Sequence, residues 1–223
     1  MKRKHTLNDF QMIDHTELSR KTAIHEAGHA AAIYFGNKQR MLPPVFFQIV
    51  IHNCDCSSLD PHCTAKIEGG RLIHTLPSSF EEATRGFSLA QQQAYQQAFE
   101  ADIVNLLVGS LAEAYYVAQQ DNELINPHLV PLHALPNYGG AADLVFVQQY
   151  LQCFIPESSA QEHKINELFW SAFEFINDWA HWYAISALAH YILQQNKEVI
   201  EYEEVADILE SHLSIVNKRR LAP

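Results

Sequence analysis

The clearest chemical signal in the chain is the string His25-Glu26-Ala27-Gly28-His29, an HExxH. On a helix, positions i and i+4 lie on one face, so both imidazoles can reach one ion. Imidazole nitrogens suit zinc, bound at about 2.0–2.1 Å. Glu26 stands close enough to take a proton from water at that metal and later deliver it to a leaving amine. The spacing therefore points to an ion and to a reaction, hydrolysis of an amide bond. The plainer alternative is a pair of helix-borne histidines that are buried and merely hydrogen-bonded.

Catalytic zinc usually takes three protein ligands and leaves a fourth position for water. The metzincin continuation fails, because Ala32 and Phe35 stand where that pattern needs Gly and His. A thermolysin-like glutamate on a following helix is also poorly supported, since the next glutamate, Glu68, reads as part of a loop beyond a strand. Glu113, in GSLAEA, and Asp143, just after Gly139–Gly140, are the better candidates.

These residues need elements to carry them. A helix is expected from Asp14–Thr16, with Glu17 as a capping-box variant, through the HExxH to a stop at Gly36. VFFQIVI (45–51) reads as a strand, and GGRLIHTL (69–76), closed by Pro77, as a second. Residues 89–119 fit one long helix or two joined near Gly109. The segment 120–138, with Pro127, Pro131 and Pro136, reads as a long loop. Helices follow over 141–154, 158–195 and 201–213. The expected class is mainly α (α+β), with a small sheet beside the HExxH helix. Residues 14–213 are expected to form one domain, between an N-terminus (1–13) and a C-terminal tail (214–223) both expected to be flexible.

Composition narrows the partners. Of 223 residues 48% are hydrophobic and 18% charged, enough to bury a core. The net charge of −11, with only 15 Lys and Arg, argues against nucleic acid, which needs a basic face. No apolar run approaches the roughly 18 residues of a membrane span, and no apolar stretch of a secretory signal follows the basic start. Four clustered cysteines do not make a disulfide scaffold, so a reducing cytoplasm is the expected compartment. Thirteen histidines favour a metal site without locating it.

TAIHEAGHAAAIYF resembles the HEAGH helix of the FtsH-type zinc metalloproteases. Downstream, GGRLIHTLP resembles that family's strand ending in TL-x-LP, and VGSLAEAYY its GGRAAEE helix. GGAADLVFVQQYL resembles its GASND-L helix, and ALAHYILQQNKEVIEYEEVADIL its closing region. The match covers roughly residues 14–213 in order. It implies an FtsH-like peptidase domain with one zinc, ligated by His25, His29 and Asp143, with Glu26 as general base and then general acid. Glu113 would orient a ligand histidine. It also places the matching strand beside the zinc helix, so Gly70, Leu72, Ile73, His74 and Thr75 become candidates for holding an extended polypeptide substrate.

The departures matter too. The family usually carries a membrane anchor and an AAA+ ATPase module; neither is expected here, and no GxxxxGK[ST] string occurs, so no ATP chemistry is expected. Ala142 replaces the asparagine before the family's aspartate, and Ser110 and Ala114 replace the Arg and second Glu of GGRAAEE. Two other readings stay open: a catalytically silent regulatory or scaffold protein, and a protease subunit fed by a separate ATPase. Homo-oligomerisation is also open. Cys54, Cys56, His62 and Cys63 could hold a second, structural zinc or form a reduced loop. His128 and His133 could block the metal's open position or face solvent. The 120–138 segment, which leads into Asp143, is the expected lid.

Overall fold

The computed structural model describes residues 15–52, 64–71, 79–195 and 197–220. Among these it has eight helices and a three-stranded antiparallel sheet. Helix α1, His15–Gln39, is long and rich in alanine, and Ala27, Ala30 and Ala31 are fully buried. Small side chains let a second helix approach closely. That partner is α3, Leu89–Gln120, one continuous helix that runs through Gly109. Where the two meet, Gly28 leaves no room for a side chain: a Cβ there would stand 2.8 Å from Ala112 Cβ. A complete capping box between Ser88 and Gln91 starts α3, and Phe99, Ile103, Leu107 and Leu111 run down its buried face.

Helix α1 does not stop at Gly36. It ends in a Schellman turn, with Met41 N–H donating to Lys38 O at 3.2 Å and Leu42 N–H to Asn37 O at 2.9 Å. The left-handed residue of that turn is Met41, φ 53, and not a glycine. Its side chain is exposed, so nothing but the local backbone cost opposes the conformation.

Strand β1, Phe47–His52, buries Phe47, Ile49 and Ile51 and turns the alternate residues outward. Strand β2 is Thr64–Gly69, ending where the second strand was expected to begin. Leu72, Ile73, His74 and Thr75 lie outside the described residues, as do Cys54, Cys56, His62 and Cys63. The order is β2-β1-β3, with β3 being Val199–Ile200, so β2 is an edge strand among the described residues. A short helix α2, Phe80–Ala83, precedes α3.

The 120–138 segment carries a 3₁₀ helix, Leu132–Tyr138, and is anchored by buried Val130 and Leu135. Helix α4, Ala141–Phe154, follows directly. The long helical region after it is two helices, α5 (Ser158–Asn177) and α6 (Trp179–Gln194). Asp178 divides them, its side chain accepting from the N–H groups of Ala180 and His181 as an N-cap. Trp182 packs on Tyr115, ring centroids 4.4 Å apart, whereas Trp170 and Trp179 are about half exposed. Helix α7, Tyr202–Arg220, runs past the expected end at 213. No helix among the described residues is long and apolar enough to cross a membrane.

Candidate metal centre

His25 and His29 lie one turn apart on the face of α1 that meets α3 and α4. Asp143 reaches them from the first turn of α4, where the helix N-terminus favours a carboxylate. Three atoms converge. His25 Nε2 is 3.0 Å from His29 Nε2 and 3.2 Å from Asp143 Oδ2, and His29 Nε2 is 3.5 Å from the same Oδ2. An ion held tetrahedrally at about 2.0–2.1 Å needs donors about 3.3 Å apart. The three atoms therefore outline one face of such a tetrahedron, and they could hold a metal ion.

The surroundings fit that reading. His29 Nδ1–H donates to Asn105 O at 2.7 Å, which fixes the tautomer and leaves the Nε2 lone pair facing the other donors. His25 Nδ1 is buried without a hydrogen bond; Glu113 Oε2 stands 3.5 Å from it. Two glycines make a cradle. A Cβ on Gly109 would stand 2.3 Å from His29 Nε2, and one on Gly139, φ 75, would stand 2.9 Å from His25 Nδ1. Backbone thus lies directly against both rings.

Electrostatics point the same way. Burial opposes charge on His25, but the Asp143 and Glu113 carboxylates outweigh it and raise its pKa above the ordinary imidazole value. His29 is raised as well, burial being outweighed by Asp143. Burial would raise Asp143, yet the two imidazoles hold it well below the usual carboxylate range. The two carboxylates thus favour positive charge at the imidazoles, which suits a cation there.

Glu26 lies beside the three donors and lines a cavity of about 550 Å³. Its Oε2 accepts from Ile67 N–H on β2 at 2.8 Å. Ile33, Val45, Leu106 and Phe146 supply apolar wall, and Gly70 lines the cavity too. Residues 120–138 are not among the residues that line it; the segment leads into Gly139, which is. His128 and His133 are exposed.

At the cavity's other end, one polar cluster ties four elements together. Arg71, just after β2, donates through Nη2 to Asn37 Oδ1 on α1 at 2.7 Å and to Asp102 Oδ1 on α3 at 2.8 Å. Tyr150, on α4, donates its hydroxyl to Asp102 Oδ2 at 3.0 Å. Those four elements also carry His25, His29, Glu113, Asp143 and the edge strand.

The sequence reading named both histidines, Glu26, Asp143 and Glu113, and the structure brings them together. It missed Gly109, Gly139, Asn105, Ile67 and the Arg71 cluster. Gly109 had a signal, as the lone glycine of a long helix; Asn105 contributes through its main chain and had none. No protein-family model matches the chain, and no curated protein or solved structure matches it. The likeness to FtsH-type peptidases rests on the motifs quoted above.

Proposed function

We propose that the chain is a zinc-dependent endopeptidase that hydrolyses peptide bonds of extended or unfolded polypeptides, without ATPase activity of its own. The observation that carries this is the convergence of His25 Nε2, His29 Nε2 and Asp143 Oδ2 at tetrahedral spacing, with Glu26 on the wall of the same cavity. Two nitrogens and one carboxylate oxygen, with a fourth direction open to the cavity, suit a catalytic rather than a closed structural zinc. When bound, zinc would polarise the scissile carbonyl and acidify water.

The chain's own residues do the rest. Asn105 O and the Gly109 backbone hold the His29 ring, and Glu113 sits behind His25. Glu26 takes a proton from the attacking water and later passes it to the leaving nitrogen. The apolar wall from Ile33 to Phe146 excludes water around the reacting groups. Among the described residues β2 is the outer strand of the sheet, which suits an extended main chain more than a folded one. Metal analysis of the purified protein, together with cleavage of unfolded casein by wild type and by Glu26→Gln, tests the reading. Zinc near one per chain and casein cleavage lost in the variant are expected; a metal-free, inactive wild type overturns it.

A further inference from the structure

The edge of β2 that faces the metal centre has its own chemistry. Gly70 N–H donates to Phe46 O at 3.1 Å, and the register pairs Phe47 with Gly69 and Ile49 with Ile67. In an antiparallel ladder, hydrogen-bonded and non-bonded pairs alternate. Gln48–Glu68 and Val50–Lys66 are then the bonded pairs, while Ala65, Ile67 and Gly69 turn their N–H and C=O groups away from β1. Among the described residues β2 is the outer strand, and these groups point away from the sheet. An extended peptide that adds to the sheet must use them. Ile67 N–H, at the centre of the three, is already taken by Glu26 Oε2 at 2.8 Å.

We propose that this contact is a latch: Glu26 and the substrate main chain compete for the Ile67 amide, and a docking peptide releases the base by taking its donor. The inference rests on the peptidase reading and deepens it by naming what the site selects. A peptide that reaches across β2 offers a main-chain carbonyl to Ile67 N–H. The Glu26 carboxylate, turned off the strand, then faces the cavity with both oxygens. A short amide that never reaches β2 leaves Glu26 tied to the strand. The site is thereby matched to chains long enough to pair with the edge, and bystander amides meet a base that is already engaged.

The competition can be read from binding alone, in two variants that cannot catalyse. Glu26→Gln keeps an acceptor that can occupy Ile67 N–H; Glu26→Ala removes it. Both are loaded with zinc, checked for equal metal content, and titrated with a capped, uncharged, fluorescently labelled peptide rich in Thr and Val. The expected result is about threefold to tenfold tighter binding to Glu26→Ala, the worth of one hydrogen bond no longer contested. Ile67→Pro supplies the control. It deletes that N–H at an edge position where proline is tolerated, so the difference between the two Glu26 variants should vanish in its background. Equal affinity of Glu26→Gln and Glu26→Ala overturns the latch and leaves the peptidase reading standing. A difference that persists with Ile67→Pro also overturns it, because the size or polarity of the residue at 26 would then be the cause. If neither variant binds the peptide, docking on the edge is wrong, and casein cleavage by wild type judges the peptidase reading separately.

Discussion

Replacing Gly109 by alanine sets two effects of opposite sign against each other. Alanine is the better helix former by about 0.8–1.0 kcal/mol, so α3 itself should gain. The new methyl, however, would stand 2.3 Å from His29 Nε2 and 2.4 Å from Cε1. Ordinary contact between such atoms begins near 3.5 Å, so ring or helix must give way by about 1 Å. The ring has little freedom, because Nδ1 is tied to Asn105 O at 2.7 Å. Metal bonds tolerate departures of roughly 0.2 Å. Zinc affinity should therefore fall by about 100-fold, the upper end of what disturbed ligand orientation costs, while helix content of the metal-free protein is unchanged. Competition against a fluorescent zinc chelator, beside circular dichroism and thermal unfolding of the metal-free protein, measures both. A folded Gly109→Ala protein that binds zinc like wild type would refute the claim that backbone packing places His29.

Asp143→Ala should empty the site, whereas Glu113→Ala should weaken zinc binding by about 10–100-fold, as loss of an orienting partner does; elemental analysis and chelator competition order the two, and the reverse order would reassign the ligand. Glu26→Gln should keep zinc and lose about 10²–10⁴-fold in turnover of unfolded casein, measured against equal metal content. Tyr150→Phe should lower zinc affinity with a small loss of stability, since it unties α4 from Asp102 at 3.0 Å while leaving the ring in place; unchanged affinity would show that Asp143 needs no such tie. His181, stacked between Phe35 and Phe175, has its pKa lowered by burial. The unfolded chain then binds the proton more readily, so stability is fully present above pH ~6.5 and is lost as pH falls below it. Urea unfolding at a series of pH values should show a shallower acid loss in His181→Gln than in wild type.

How much of the site could be read from the sequence depended on how local each feature is. The two histidines and Glu26 are set by a spacing within one helix turn, and they were legible at once. Asp143 lies 118 residues from His25, and residue types alone left it level with Glu113; only the order of the downstream motifs separated them. Strand β2 is hard to read because TAKIEG is short and one-third charged, with Lys66 and Glu68 exposed and Ala65 and Ile67 only half buried. As an edge strand it has less apolar surface to announce itself than β1. Glycines misled in both directions. Gly36 was read as a helix stop, but it sits inside α1, where a Cβ would meet Arg40 Nη1 at 3.3 Å, and Met41 makes the turn instead. Gly69–Gly70 was read as the start of a strand and is the end of one. The break at Asp178 carried a signal, an aspartate positioned to cap the second helix, that hydrophobic content concealed.

The long separation between His25 and Asp143 also bears on how the chain matures. No partly folded form that lacks a docked α4 contains the third donor, so an ion arriving early meets only two imidazoles. On the proposed reading, tight metal capture would then be a late event, available to the completed tertiary structure alone. By mass action, an ion present at a thousand times its dissociation constant would add about 4 kcal/mol to that state, and less to precursors that offer only two imidazoles. A bound ion would thus act as a clasp on the seam between the first helix and the fourth. Stripping the ion should loosen that seam before the rest, and hydrogen exchange in α4 should rise ahead of exchange in the α1–α3 pair.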